Sequence, residues 1–118
     1  MADVNNAVAQ DLTMLRGSTF SFSFELIGLN QSVDAAFFSC KAKLEDTAYA
    51  FQKTLEDGIE EGTGQAAGIF SVRIAPEDTA ELPAGRYYYD LVVDANDDRQ
   101  PIMFGSLILV QGVTNPAE

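Results

Sequence analysis

The chain has 118 residues, enough for one domain that buries roughly two thirds of its unfolded surface without disulfides or metals. Eighteen acidic residues against seven basic ones give a net charge of −11, a field that repels phosphate backbones and anionic bilayers, so neither nucleic acid nor membrane is an expected partner. With no histidine the commonest general base and neutral metal ligand are missing, which excludes serine-histidine and cysteine-histidine catalysis; no enzyme activity, metal or cofactor is expected. Eight Phe and four Tyr against three Met favour an aromatic, pleated interior.

Residues 1–10 lack the basic start and sustained apolar block of a secretory signal, so synthesis in a cytoplasm is expected, with this segment as a flexible or docking arm. Residues 11–15 read as a first strand, ended by Arg16-Gly17-Ser18 in a hairpin-like reversal. Then Phe20, Phe22, Phe24 and Leu26 point one way while Thr19, Ser21, Ser23 and Glu25 point the other, a strand with one buried and one wet face. The phenylalanines are taken as core rather than as a ligand-stacking platform, because each ring buries a large area.

A loop is expected over residues 28–32, then a strand over residues 37–44 with Phe38, Cys40, Ala42 and Leu44 inward and Lys41 and Lys43 solvated. Cys40 has no second cysteine to pair with and reads as a small buried hydrophobe, not a reactive thiol. Residues 49–55 form a weaker strand, at an edge or switching between sheets, where Lys53 discourages stray pairing. Residues 56–68, rich in Gly and acid, are a long exposed loop; their glycines lack the Lys-Ser/Thr ending of a phosphate-binding loop.

Residues 69–74 return to strand with Phe70, Val72 and Ile74 inward, and one helical turn is expected over residues 76–82. The stretch Leu82-Pro83-Ala84-Gly85-Arg86-Tyr87 reads as a corner between sheets: Leu82, Gly85 and Tyr87 are its structural residues, and the Tyr87 hydroxyl bonds back to an upstream backbone group. Beyond it Tyr87, Tyr89, Leu91 and Val93 share one face and Tyr88, Asp90 and Val92 the other. Asp94 to Asp98 resembles the start of a calcium loop without its Gly and distal Glu, and reads as a solvated turn. A last strand over residues 102–111 is apolar almost throughout, which implies cover on both faces or an assembly contact. Leu12, Met14, Met103, Leu107 and Leu109 are the candidate interface residues.

Seven strands at short spacing, without repeat or linker, predict an all-β immunoglobulin-like sandwich of two antiparallel sheets over residues 11–114, followed by a tail of residues 115–118. Three segments, Leu12-Thr-Met-Leu-Arg-Gly-Ser-Thr-Phe20, Ala75-Pro-Glu-Asp-Thr79, and Leu82-Pro-Ala-Gly-Arg-Tyr-Tyr-Tyr-Asp90 with Phe104-Gly-Ser-Leu-Ile-Leu-Val-Gln-Gly-Val-Thr114, resemble small immunoglobulin-like structural proteins of tailed bacteriophages and are similar to the N-terminal domain of the phage baseplate upper protein. The resemblance implies a non-enzymatic virion component in a tail or baseplate, a homo-oligomer in the particle that docks on other virion proteins through its arm and last strand. Two further readings stand beside it. One is a capsid decoration protein, and the other is a glycan-binding attachment module using the outward Tyr88.

Overall fold

A computed structural model describes residues 7–26, 33–66, 68–95 and 97–114. The expected loop over residues 28–32, the tail of residues 115–118 and the first six residues of the arm lie outside them. Among the described residues nine strands form: β1 (Val8–Ala9), β2 (Leu12–Leu15), β3 (Phe20–Glu25), β4 (Ala35–Lys41), β5 (Phe51–Leu55), β6 (Gly58–Glu61), β7 (Ile69–Ile74), β8 (Gly85–Ala95) and β9 (Asp98–Val110). A single helical turn, α1 (Pro76–Thr79), and a 3₁₀ turn (Gly64–Ala66) complete the described elements.

The strands hydrogen-bond in the order β1-β9-β8-β4-β5-β6-β7-β3, with β2 also on β9. This ribbon curls on itself at β5–β6, where only Thr54↔Gly58 and Leu55↔Ile59 pair. The front half, β1/β2-β9-β8-β4-β5, therefore faces the back half, β6-β7-β3. Ring contact between strands that share no ladder shows the two halves closing: Phe22 on β3 lies 5.8 Å from Phe38 on β4. The architecture is an immunoglobulin-like all-β sandwich.

Period-two alternation decides which side chains fill it. Ala36, Phe38 and Cys40, then Tyr87, Tyr89, Leu91 and Val93, then Phe70, Val72 and Ile74 all face inward and are buried. Phe38 is the hub, with Tyr89 stacked at 5.1 Å, Phe22 at 5.8 Å and Phe51 at 6.1 Å. These offset and tilted rings add to the burial of their area. Phe20, Phe22 and Phe24 point to the same core from β3 but stay half-buried.

The corner forms around Tyr87, which is buried and donates its hydroxyl to the Pro83 carbonyl at 2.7 Å. Leu82 packs on the core, and Gly85 opens β8 at φ +143°, a conformation that residues with a Cβ rarely adopt. Beneath the corner, Asp78 closes α1 by accepting the Ala75 N–H at 2.7 Å, and the same carboxylate binds Lys53 Nζ at 2.9 and 3.1 Å.

Several elements differ from their sequence expectation. Arg16-Gly17-Ser18 does not close a hairpin: β2 runs parallel to β9 in the front half and β3 runs antiparallel to β7 in the back half, so this turn crosses between them. It is pinned by Gly17 N–H on the buried Thr79 Oγ1 at 2.8 Å, Arg16 N–H on the Val110 carbonyl at 2.9 Å, and the Arg16 guanidinium on the Ala80 carbonyl. Lys53 is no guard on a free edge but one half of the ion pair with Asp78. The supposed loop over residues 56–68 contains β6, whose Ile59 is wholly buried, because a tight turn with Glu56 at φ +65° and Gly58 at φ +104° folds it back onto β7. Strand β4 stops at Lys41, which leaves Ala42 and Leu44 exposed rather than inward.

The last strand starts at Asp98, not at residue 102, and carries a bulge: Leu91 pairs with Met103 but Val92 with Pro101, which accommodates the proline's missing N–H. The arm, too, is more engaged than expected, since Val8 and Ala9 pair with Met103 and Phe104. Gln10 N–H reaches the Phe104 carbonyl at 2.9 Å, and the Tyr89 hydroxyl donates to the Gln10 carbonyl. Gly105 permits this approach, because a Cβ there would overlap the Gln10 carbonyl group.

Burial within this core raises two acids that would otherwise ionise at mildly alkaline pH. The Cys40 thiol is pushed up to about 12 by burial. The Tyr89 phenol is also pushed to about 12, by burial first and then by Asp11. Their folded values lie above their unfolded ones, so both states stay protonated below about pH 9 and the unfolded chain ionises first above it. Urea midpoints are therefore expected to fall from about pH 9 upward, at about 1.4 kcal/mol per pH unit for each proton involved. In Cys40→Ala the onset moves up by about a pH unit, to where tyrosine ionises. A midpoint flat to pH 11 would contradict the burial of both groups.

Candidate docking face

The outward side of the front half is where the chain leaves apolar and aromatic groups uncovered. Ladder register sets out its rows, because directly paired residues share a face. Gln52, Ser39, Asp90, Phe104 and Ala9 form one row across β5, β4, β8, β9 and β1. Beside it on one side lie Phe37, Val92 and Pro101. On the other lie Lys41, Tyr88 and Ser106, then Arg86, Ile108 and Thr13, and at the end Leu15 and Val110. Phe104 is 46% exposed and Leu15 52%, although each sits on a regular strand.

Between β4, β5 and β8 the face dips into a shallow groove of about 380 Å³, walled by Phe37, Tyr49, Tyr88, Asp90 and Arg99. Two cations lie on its rings. Lys41 Nζ sits 5.5 Å from the Tyr49 ring centre, and the Arg99 guanidinium sits 5.1 Å from that of Phe37. Arg99 is fixed by a two-pronged bond to Asp94, at 2.7 and 2.9 Å. That bond holds the Asp94 carboxyl below its ordinary value and the Arg99 guanidinium above its own. Asp90 shifts upward, chiefly through partial desolvation among these side chains, with Arg99 and Lys41 pulling the other way. Lys41 and Arg99 balance Asp90 and Asp94, so on a chain of net charge −11 this face carries compensated charge beside its apolar groups.

The interface residues expected from sequence fall elsewhere. Met14, Leu107 and Leu109 are buried in the core, and Leu12 and Met103 pack half-buried against it. The reason is parity: Leu107 pairs with the inward Tyr87 and with Leu12, and Leu109 pairs with Met14, so all of them point between the halves. The outward residues of the same strands are Phe104, Ile108, Val110, Thr13 and Leu15, which the apolar run on both faces of β9 did not distinguish. Tyr88 does point outward and lines the groove.

In the calcium-like stretch Asp94 is committed to Arg99. Among the described residues no three Cys, Asp or Glu side chains gather as a metal site would require. In the acidic segment, Glu61 accepts the Gly68 N–H at 2.9 Å while Glu60 is exposed.

No protein-family model matches the chain, and no curated protein matches it. Among solved structures it is similar to extracellular domains of the voltage-gated sodium channel beta4 subunit, described as parallel homodimers with a role in cell-cell adhesion, at a TM-score of 0.44 and 12% identity over 96% of this chain and 100% of that one. The immunoglobulin-like assignment rests on the strand order, the parallel N-terminal strand and the tyrosine corner of the chain itself.

Proposed function

We propose that the chain is a non-enzymatic structural protein of a tailed-phage virion, a tail or baseplate component made in the host cytoplasm and docked in several copies on other virion proteins. The observation that carries this reading is the outward face of the front half. Its aromatic and apolar groups are held rigidly on paired strands, and its charges are balanced where the rest of the chain is acidic. Exposed apolar patches rimmed by polar groups mark interaction sites. The resemblance of the strand-and-turn segments to phage immunoglobulin-like proteins supports the setting, and the −11 charge supports protein rather than nucleic-acid or membrane partners. On this reading the groove contributes recognition through Tyr88 and Phe37, with Phe104 as a further anchor on the same face. Particles purified from the producing host by density gradient are expected to contain the chain in multiple copies on the tail or baseplate, seen by antibody labelling. Its absence from such particles would overturn the reading.

A further inference from the structure

We propose that β3 is a self-association edge, on which two copies pair antiparallel about a two-fold axis at Phe22. Strand β3 ends the sheet order, bonded to β7 on one side, and among the described residues no strand takes its other side. The backbone groups on that side form a template for another strand. Proteins usually blunt such an edge with Pro, Lys or a bulge. Phe20–Glu25 has none of these, and its register with β7 is unbroken from Phe20↔Ile74 to Glu25↔Ile69.

The strand's own sequence selects the occupant. Phe20-Ser21-Phe22-Ser23-Phe24 reads the same in both directions, so a second copy centred on Phe22 sets Phe20 opposite Phe24, Ser21 opposite Ser23 and Phe22 opposite itself. Every ring then falls on the inner side and every hydroxyl on the outer, continuing the alternation that β3 already has with β7. The three phenylalanines, half-buried in one copy, gain cover from their counterparts. Charge permits this pairing. Residues 17–24 contain no charged side chain, and Glu25 meets Thr19 rather than another acid, which matters for a chain of net charge −11. This edge lies in the back half, away from the docking face, and the inference holds for the purified chain whether or not it belongs to a virion.

Sedimentation equilibrium of the full chain from micromolar to millimolar concentration is the test, with a reversible monomer–dimer equilibrium expected. Ser21 and Ser23 are exposed, and Ser21 pairs with Arg73 on β7, so circular dichroism and a urea midpoint verify the fold of each variant before its association is compared. Ser21→Lys with Ser23→Lys sets like charges opposite each other twice across the axis and is expected to weaken dimerisation by about tenfold or more, although it lowers the chain's net charge. Ser21→Glu with Ser23→Lys sets opposite charges in those places and is expected to restore it. A chain that is monomeric throughout, or a dimer indifferent to both double variants, overturns the proposal.

Discussion

Replacing Phe38 with alanine is expected to lower the unfolding free energy by about 3–5 kcal/mol, read from urea denaturation at neutral pH. The ring is wholly buried and lies against Phe22, Phe51 and Tyr89, side chains carried by strands of both halves. Its removal leaves a cavity that paired backbones on β4, β5 and β8 cannot close, so the loss combines transfer and cavity costs. Domains of this size hold about 5–15 kcal/mol in total, and the variant is expected to melt well below the parent. The comparison that gives the result meaning is Phe104→Ala. That ring stands outward on β9, two strands from β4 in the sheet, and its loss is expected to change stability by no more than about 0.5 kcal/mol. Equal losses from the two substitutions would contradict the assignment of inner and outer faces.

Asp78→Ala is expected to cost about 3 kcal/mol by the same measurement, a large effect for a residue in a four-residue helical turn. One carboxylate serves two partners, the Lys53 ammonium and the Ala75 N–H. The side chains of Lys53 and Asp78 are only 11% and 15% exposed, so removing the acid strands a cation where water reaches it poorly and also opens the first turn of α1. Lys53→Met is expected to cost less, about 1–2 kcal/mol, because the carboxylate keeps its backbone donor and the apolar stem is retained. A loss from Asp78→Ala below about 0.5 kcal/mol would show the pair to behave as an ordinary surface contact.

Alternation makes most of the fold legible in the sequence. Where one face of a strand is apolar and the other polar, as in β3 and β7, the period gives the strand and its inward side together, and the tyrosine corner follows from Pro83, Gly85 and Tyr87 in series. The docking face was harder to read because β9 is apolar on both faces. Its orientation is set by the partner strand: Tyr87 faces the core, so Leu107 does too, and Phe104 and Ile108 are left outside. A bulge at Leu91/Val92 then breaks the simple count toward the strand's start. Strand β6 was hidden for another reason, since Ile59 is a single inward apolar residue among glycines and acids. The role of Lys53 depends on a partner 25 positions away, a distance at which local pattern carries no signal.

On the proposed function, the outward face of β9, β8 and β4 is covered when the protein sits in a particle. Cys40 is buried with its thiol pushed to about 12, so it stays silent to maleimide at neutral pH and an introduced cysteine reports alone. Thr13→Cys, beside Ile108 and Arg86, probes the docking face, and Glu60→Cys on the exposed rim of β6 is the control. In the free chain both are expected to label fully; in purified particles Thr13→Cys is expected to be protected while Glu60→Cys still reacts. Full labelling of Thr13→Cys in particles that contain the protein would contradict the claim.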